Sequence, residues 1–119
     1  MKTFEEIPVY QKSKELCIEI YKLDNPKYQK DFGFKDQIQR AAISVMNNIA
    51  EGFERGSDKD FVKFLYYSKG SIGEIRSLLN VAVEIGYIDS QYFDKLKNEC
   101  IEISKQLSNF IKYLSTKSQ

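Results

Sequence analysis

Residues 90–115, SQYFDKLKNECIEISKQLSNFIKYLS, decide the fold. Phe93, Leu96, Cys100, Ile103, Leu107, Phe110 and Leu114 recur at alternating steps of three and four. That spacing puts all seven on one side of a helix as a heptad seam, which must be buried against other helices. Working back, Phe61, Phe64, Leu65, Ser68, Ile72, Ile75, Leu78, Leu79, Ala82 and Ile85 keep the same period, predicting a helix over 58–85. The intervening Gly86-Tyr87-Ile88-Asp89 reads as a stop, two contacts and an N-cap. Before that, Phe34, Ile38, Ala41, Ala42, Val45, Ile49, Gly52 and Phe53 form an apolar face over 34–54. Gly56 serves as a C-terminal cap there, and Ser57 as the next N-cap, with Asp58 and Asp60 at the positive end of the helix dipole. The first helix, over 8–23, carries Val9, Ser13, Leu16, Cys17, Ile20 and Leu23; Pro8 suits its first turn and Asn25-Pro26 ends it.

No segment shows sustained strand alternation, and the linker through Phe32 reads as polar and about eight residues long. Short second and third connections make neighbouring helices antiparallel. The expected fold is all-α: a single domain over 1–119, folded as an up-down-up-down four-helix bundle. Ser115 to Gln119 read as a frayed end.

Composition narrows the chemistry. The 119 residues contain no histidine, which removes Ser-His-Asp and Cys-His catalysis, histidine-ligated zinc and the Glu-x-x-His pairs of di-iron bundles. Two cysteines, Cys17 and Cys100, cannot build a four-thiolate site or a disulfide framework, and both fall on core faces as structural thiols. The carboxylates are scattered, with no pair whose sequence context suggests a raised pKa. No cofactor or metal and no enzymatic activity are expected. No stretch approaches a membrane span and the start MKTFEEIPVY lacks an apolar signal core, so the expected location is cytoplasmic. The 18 basic and 17 acidic residues leave a net charge of +1, divided evenly between the halves: 9 and 9 up to Gly56, then 9 and 8. Bulk charge therefore does not announce a nucleic-acid partner.

Three features remain as candidates. Gln37, Arg40, Ser44, Asn47 or Asn48, Glu51 and Arg55 form a polar stripe on the second helix. It reads either as a solvated face with a Glu51–Arg55 pair, or as an inter-helix or inter-subunit polar network built with two of only three arginines. Gly70 and Gly73 fall mid-helix, where each costs about 1 kcal/mol against alanine, so close packing by another backbone or side chain is expected there. Strands are absent around them, which removes the KH-loop reading, and the phosphate-loop lysine spacing is wrong. Arg55, Lys59, Lys63 and Tyr66 would make an RNA or partner surface, the last three on one helix face with a tyrosine available for stacking. The ordinary alternative is a solvated lysine-tyrosine face.

The run from 37 to 64, QIQRAAISVMNNIAEGFERGSDKDFVKF, resembles the signature of four-helix bundle proteins encoded in intervening sequences of bacterial 23S rRNA genes. That family also takes in the accessory variability determinant proteins of diversity-generating retroelements. The matching positions are Gln37, Arg40, Ala41, Ala42, Ser44, Asn48 to Phe53, Arg55, Ser57, Lys59, Phe61 and Phe64. They continue through Leu65, Tyr66, Gly70, Ser71, Glu74 and Gly86 to Ile88. Val9-Tyr10-Gln11-Lys12 fits as well, with tyrosine where many relatives carry tryptophan. The resemblance implies a homopentameric ring without catalytic residues. In the retroelement branch it implies a strongly basic protein that partners a reverse transcriptase and structured RNA. At net charge +1 this chain departs from that branch. The resemblance thus points to a self-assembling scaffold or accessory factor for structured RNA or an RNA-processing protein, with a protein-binding adaptor as the alternative.

Overall fold

The computed structural model describes residues 2–117, and among them the chain is all-α, a helical bundle without strands. A 3-10 turn, Phe4–Glu6, precedes α1 (Pro8–Tyr21), α2 (Pro26–Lys30), α3 (Phe32–Glu54), α4 (Asp58–Glu84) and α5 (Ser90–Lys117). The 28 residues of α5 span about 42 Å at the usual rise. Only the 49 Å axis of the 49 × 21 × 20 Å molecule can hold them, so the long helices run along it. Helix α3 packs on α4 and α1, and α5 packs on α4 and α1. Helices α1 and α4 are not neighbours, and neither are α3 and α5, so each pair occupies diagonal corners.

The helix ends follow the local chemistry read from the sequence. Gly56 and Gly86 hold φ of 86° and 82°, the left-handed conformation that a Cβ disfavours. Ser57 Oγ accepts from the Asp60 N–H at 3.1 Å to start α4, and Asp89 Oδ1 accepts from the Tyr92 N–H at 2.7 Å before the first turn of α5. The heptad seam is inside: Leu96, Cys100, Ile103, Leu107 and Leu114 are buried, Phe93 and Phe110 partly so, and Ile111 joins them. Helix α5 runs through Ser115 and Thr116 to Lys117, further than the frayed end expected there; Ser118 and Gln119 lie outside the described residues.

The linker before α3 departs from its reading. It is not merely polar: Pro26–Lys30 form a helical turn, α2, capped by Asn25 Oδ1, which accepts from the N–H groups of Lys27 (2.9 Å) and Tyr28 (3.1 Å). Asn25-Pro26 ends one helix and starts another, proline being suited to position N1. Tyr28 is fully buried and its hydroxyl donates to the Ile20 carbonyl at 3.3 Å. Its ring meets Phe34 and Tyr87 edge-on, at 6.3 and 6.1 Å between centroids. The side chain of Asn25 donates to the Gly86 carbonyl, and the Tyr87 hydroxyl to Asp31 at 2.5 Å. These bonds clasp the α1–α3 connection to the α4–α5 turn at one end of the rod. At the other end Lys117 pairs with Asp58 at 3.7 Å. Helices α1 and α4 therefore run in the same direction.

Gly70 and Gly73 do not pack as expected within the chain. No atom lies within 4 Å of where a Cβ would sit at either, and both are exposed. The glycine under close approach is Gly52 of α3, whose Cβ would stand 2.7 Å from Phe64 Cβ and 3.0 Å from the Phe61 ring.

Candidate partner-binding surface

The first turns of α4 project Lys59, Lys63 and Tyr66 along one face, four and then three residues apart, and all three are exposed, Tyr66 by 57%. Five of the cations elsewhere on this molecule are engaged. Arg40 holds Asp36 at 2.9 Å, Lys95 holds Glu19 and Glu99, Lys35 and Lys97 lie over aromatic rings, and Lys117 reaches Asp58. Among the described residues Lys59 and Lys63 make no ion pair and lie over no ring. Arg55, at the end of α3, stacks its guanidinium 4.9 Å above the Phe64 ring while bonding Glu51 at 3.2 Å. Tyr67 packs edge-on against the same ring, 5.5 Å away. The result is a surface of two unpaired ammonium groups and an exposed phenol, bordered by a braced arginine. Such a surface offers charge to phosphates and a ring face to bases. The α4 N-terminus is already capped by Ser57, and the Asp58 carboxylate occupies its positive end, which leaves the lysines to supply the attraction.

The polar stripe of α3 divides. Gln37, Arg40, Glu51 and Arg55 are exposed, and the Arg40–Asp36 and Glu51–Arg55 pairs are i,i+4 pairs of the solvated kind. Ser44 and Asn48 instead turn toward α4. Asn48 donates to the Ser44 carbonyl and hydroxyl at 2.9 and 3.0 Å, and the Ser71 hydroxyl donates to Ser44 Oγ at 2.9 Å. One turn inward, Ser68 Oγ donates to the Val45 carbonyl at 2.7 Å. The centre of the stripe is thus an inter-helix network within one chain, and its two ends are surface. Ser68 counted as an apolar-face position in the sequence, and its hydrogen bond was not legible there.

A carboxyl pair that the sequence did not reveal lies between α1 and α5. Lys95 binds Glu19 at 2.5 Å and Glu99 at 3.5 Å, and the Tyr92 hydroxyl donates to Glu19 at 3.3 Å. Burial first, and the neighbouring Glu19 second, push the Glu99 carboxyl up to about 7. Burial also acts on Glu19, but its hydrogen bonds from Lys95 and from the Glu99 carboxyl outweigh it and hold Glu19 below its ordinary value. Glu99 Oε2 is buried without a hydrogen-bond partner, which disfavours a negative charge there. Lys95 and Glu99 are four residues apart, but Glu19 comes from another helix, so no local signal marks the pair. The folded chain keeps a proton on Glu99 that the unfolded chain, with its ordinary value of 4.5, releases. Its contribution to stability is therefore fully present below 4.5 and lost as pH rises through about 7. Glu99→Gln is expected to flatten that decline and to stabilise the protein at pH 8 by about 1 kcal/mol, a figure reduced for partial exposure. Urea titrations at pH 5.5 and 8 check this; an unchanged pH dependence would contradict it.

Cys17 and Cys100 are buried, as expected of structural thiols, and burial pushes Cys100 up to about 12, far from thiolate chemistry at neutral pH. Among the described residues no three metal-ligating side chains gather, and no helix is long and apolar enough to cross a membrane.

The family described as 23S rRNA-intervening sequence protein matches this chain over residues 5–109. The crystal structure of a protein of unknown function from the S23 ribosomal protein family of Bacteroides thetaiotaomicron superposes with a TM-score of 0.79 at 30% identity. The match covers 87% of this chain and 98% of that one. No curated protein matches.

Proposed function

Because the chain belongs to the family of 23S rRNA-intervening sequence proteins, we propose that it is a non-enzymatic accessory protein for RNA or a ribonucleoprotein. Its subunit is an antiparallel up-down-up-down four-helix bundle, and five subunits form a homopentameric ring that works in the cytoplasm without a cofactor. The observation that carries the reading is the unpaired Lys59–Lys63–Tyr66 face beside Arg55. One copy of that face is weak, in keeping with a net charge of +1. A ring repeats it on one rim and concentrates charge that a single subunit spreads thinly.

Electrostatic binding of this kind falls steeply with salt, because neutralising phosphates releases counterions. Fluorescence anisotropy with a labelled hairpin RNA should therefore show affinity that drops between 50 and 200 mM salt. Combining Lys59→Glu with Lys63→Glu should weaken it at least about tenfold at low salt and shrink the salt slope. Equal binding by the variant and the wild type, or no binding by either, would contradict the RNA reading. The exposed Tyr66 and Tyr67 favour the competing adaptor role, in which a protein partner docks with little salt dependence.

A further inference from the structure

We propose that two different edges of the bundle, the outer face of α1 and the outer face of the C-terminal half of α4, dock head-to-tail on a second copy of this chain. The inference rests on the self-assembly reading above and assigns the surfaces that would carry it. Helices α1 and α4 occupy diagonal corners, so their outer faces point away from each other. Each bears a pair of exposed large apolar side chains about one turn apart: Ile18 and Tyr21 on α1, at 43% and 44%, and Val81 and Ile85 at the end of α4, at 45% and 47%. The two pairs lie near the same end of the rod. Asn25, just beyond α1, is bonded to Gly86, just beyond α4, and the two helices run in the same direction.

Cyclic symmetry about an axis along the rods keeps every subunit at one height, so the α1 pair of one copy faces the α4 pair of the next to within about one helical turn. The flanking charges match. Lys14 on α1 and Lys22 just after it are exposed, as are Glu74 and Glu84 on α4. The charges that would spoil the match turn aside: Glu15 lines a groove with Asn98 and Glu102 of α5, and Arg76 one with Ser104 and Lys105. One turn or two above Val81, Gly73 and Ser77 add little bulk, and nothing inside the chain fills the space at Gly73. One edge is basic and the other acidic, so neither complements itself. Such a heterologous contact cannot make an isologous dimer, and it forms a ring when the rotation from copy to copy closes. The 14 residues of α1 match only half of the 27 in α4, which leaves the Lys59–Tyr66 half uncovered.

The test mixes two edge variants and reads mass by light scattering, with helix content by circular dichroism to confirm folding. Ile18→Asp and Val81→Asp, each at a half-exposed site, should each reduce the wild-type assembly to a 13.9 kDa monomer. Mixed together, they should form a heterodimer of twice 13.9 kDa, because each variant keeps the edge that the other lacks. Lys22→Glu and Glu84→Lys should each weaken assembly singly and restore it when combined in one chain. Variants that keep the wild-type mass, or a mixture that stays monomeric, would overturn the assignment of these edges while leaving assembly intact. A monomeric wild type would overturn the assembly reading itself.

Discussion

Replacing Tyr28 with alanine is expected to lower the unfolding free energy by about 4 kcal/mol, the range for deleting a fully buried aromatic side chain. Tyr28 has no exposed surface, and it fills the space between α1, the start of α3 and the α4–α5 turn. Removing the ring takes one edge contact from each of Phe34 and Tyr87, which keep the one between them, and opens a cavity under the clasp formed by Asn25–Gly86 and Tyr87–Asp31. Tyr28→Phe separates packing from hydrogen bonding. It loses the hydroxyl's bond to the Ile20 carbonyl and its interaction with the Gln39 side chain, so a cost of about 1 kcal/mol is expected. Urea-unfolding midpoints for the pair decide the point. A Tyr28→Ala variant within 1 kcal/mol of wild type would show that α2 is a decoration rather than a clamp.

Gly52→Val is expected to cost about 3 kcal/mol, because a side chain there must displace α4. The added Cβ would lie 2.7 Å from Phe64 Cβ and 3.4 Å from the Phe61 carbonyl oxygen, neither of which is the free end of a flexible group. Gly70→Ala and Gly73→Ala are the controls. Both positions face open space within the subunit, so in the dissociated subunit each alanine should stabilise the fold by about 1 kcal/mol through helix propensity. Thermal melts of the three variants should order them with Gly52→Val far below wild type and the other two at or above it. Equal losses at all three would contradict the separation between a glycine needed for packing and glycines free of it.

These contrasts mark what a linear reading can resolve. The four long helices were legible because 14 to 28 residues hold enough turns for the 3.6 period to emerge, and because Gly56, Ser57, Gly86 and Asp89 punctuate them by their own backbone chemistry. Helix α2 escaped because five residues hold too few turns for a period, and its proline signals an end as readily as a beginning. The cost of Gly70 and Gly73 was legible, but which glycine another helix approaches depends on crossing geometry, and that singled out Gly52. The candidate face at Lys59, Lys63 and Tyr66 was legible from spacing alone. What its neighbours do was not: Arg55 settles on Phe64 and Ser44 on Ser71, partners 9 and 27 residues away. The Glu19–Glu99 pair is more distant still, joining the first helix to the last.

An RNA-associated assembly would show first in the mass of the freshly purified protein, taken without nuclease treatment and with absorbance at two wavelengths. Eight tyrosines and no tryptophan make the protein's own absorbance weak, so bound nucleic acid stands out. A mass of five times 13.9 kDa, about 70 kDa, is expected, with excess absorbance at 260 nm that high salt removes. A 13.9 kDa particle with a plain tyrosine spectrum would contradict it.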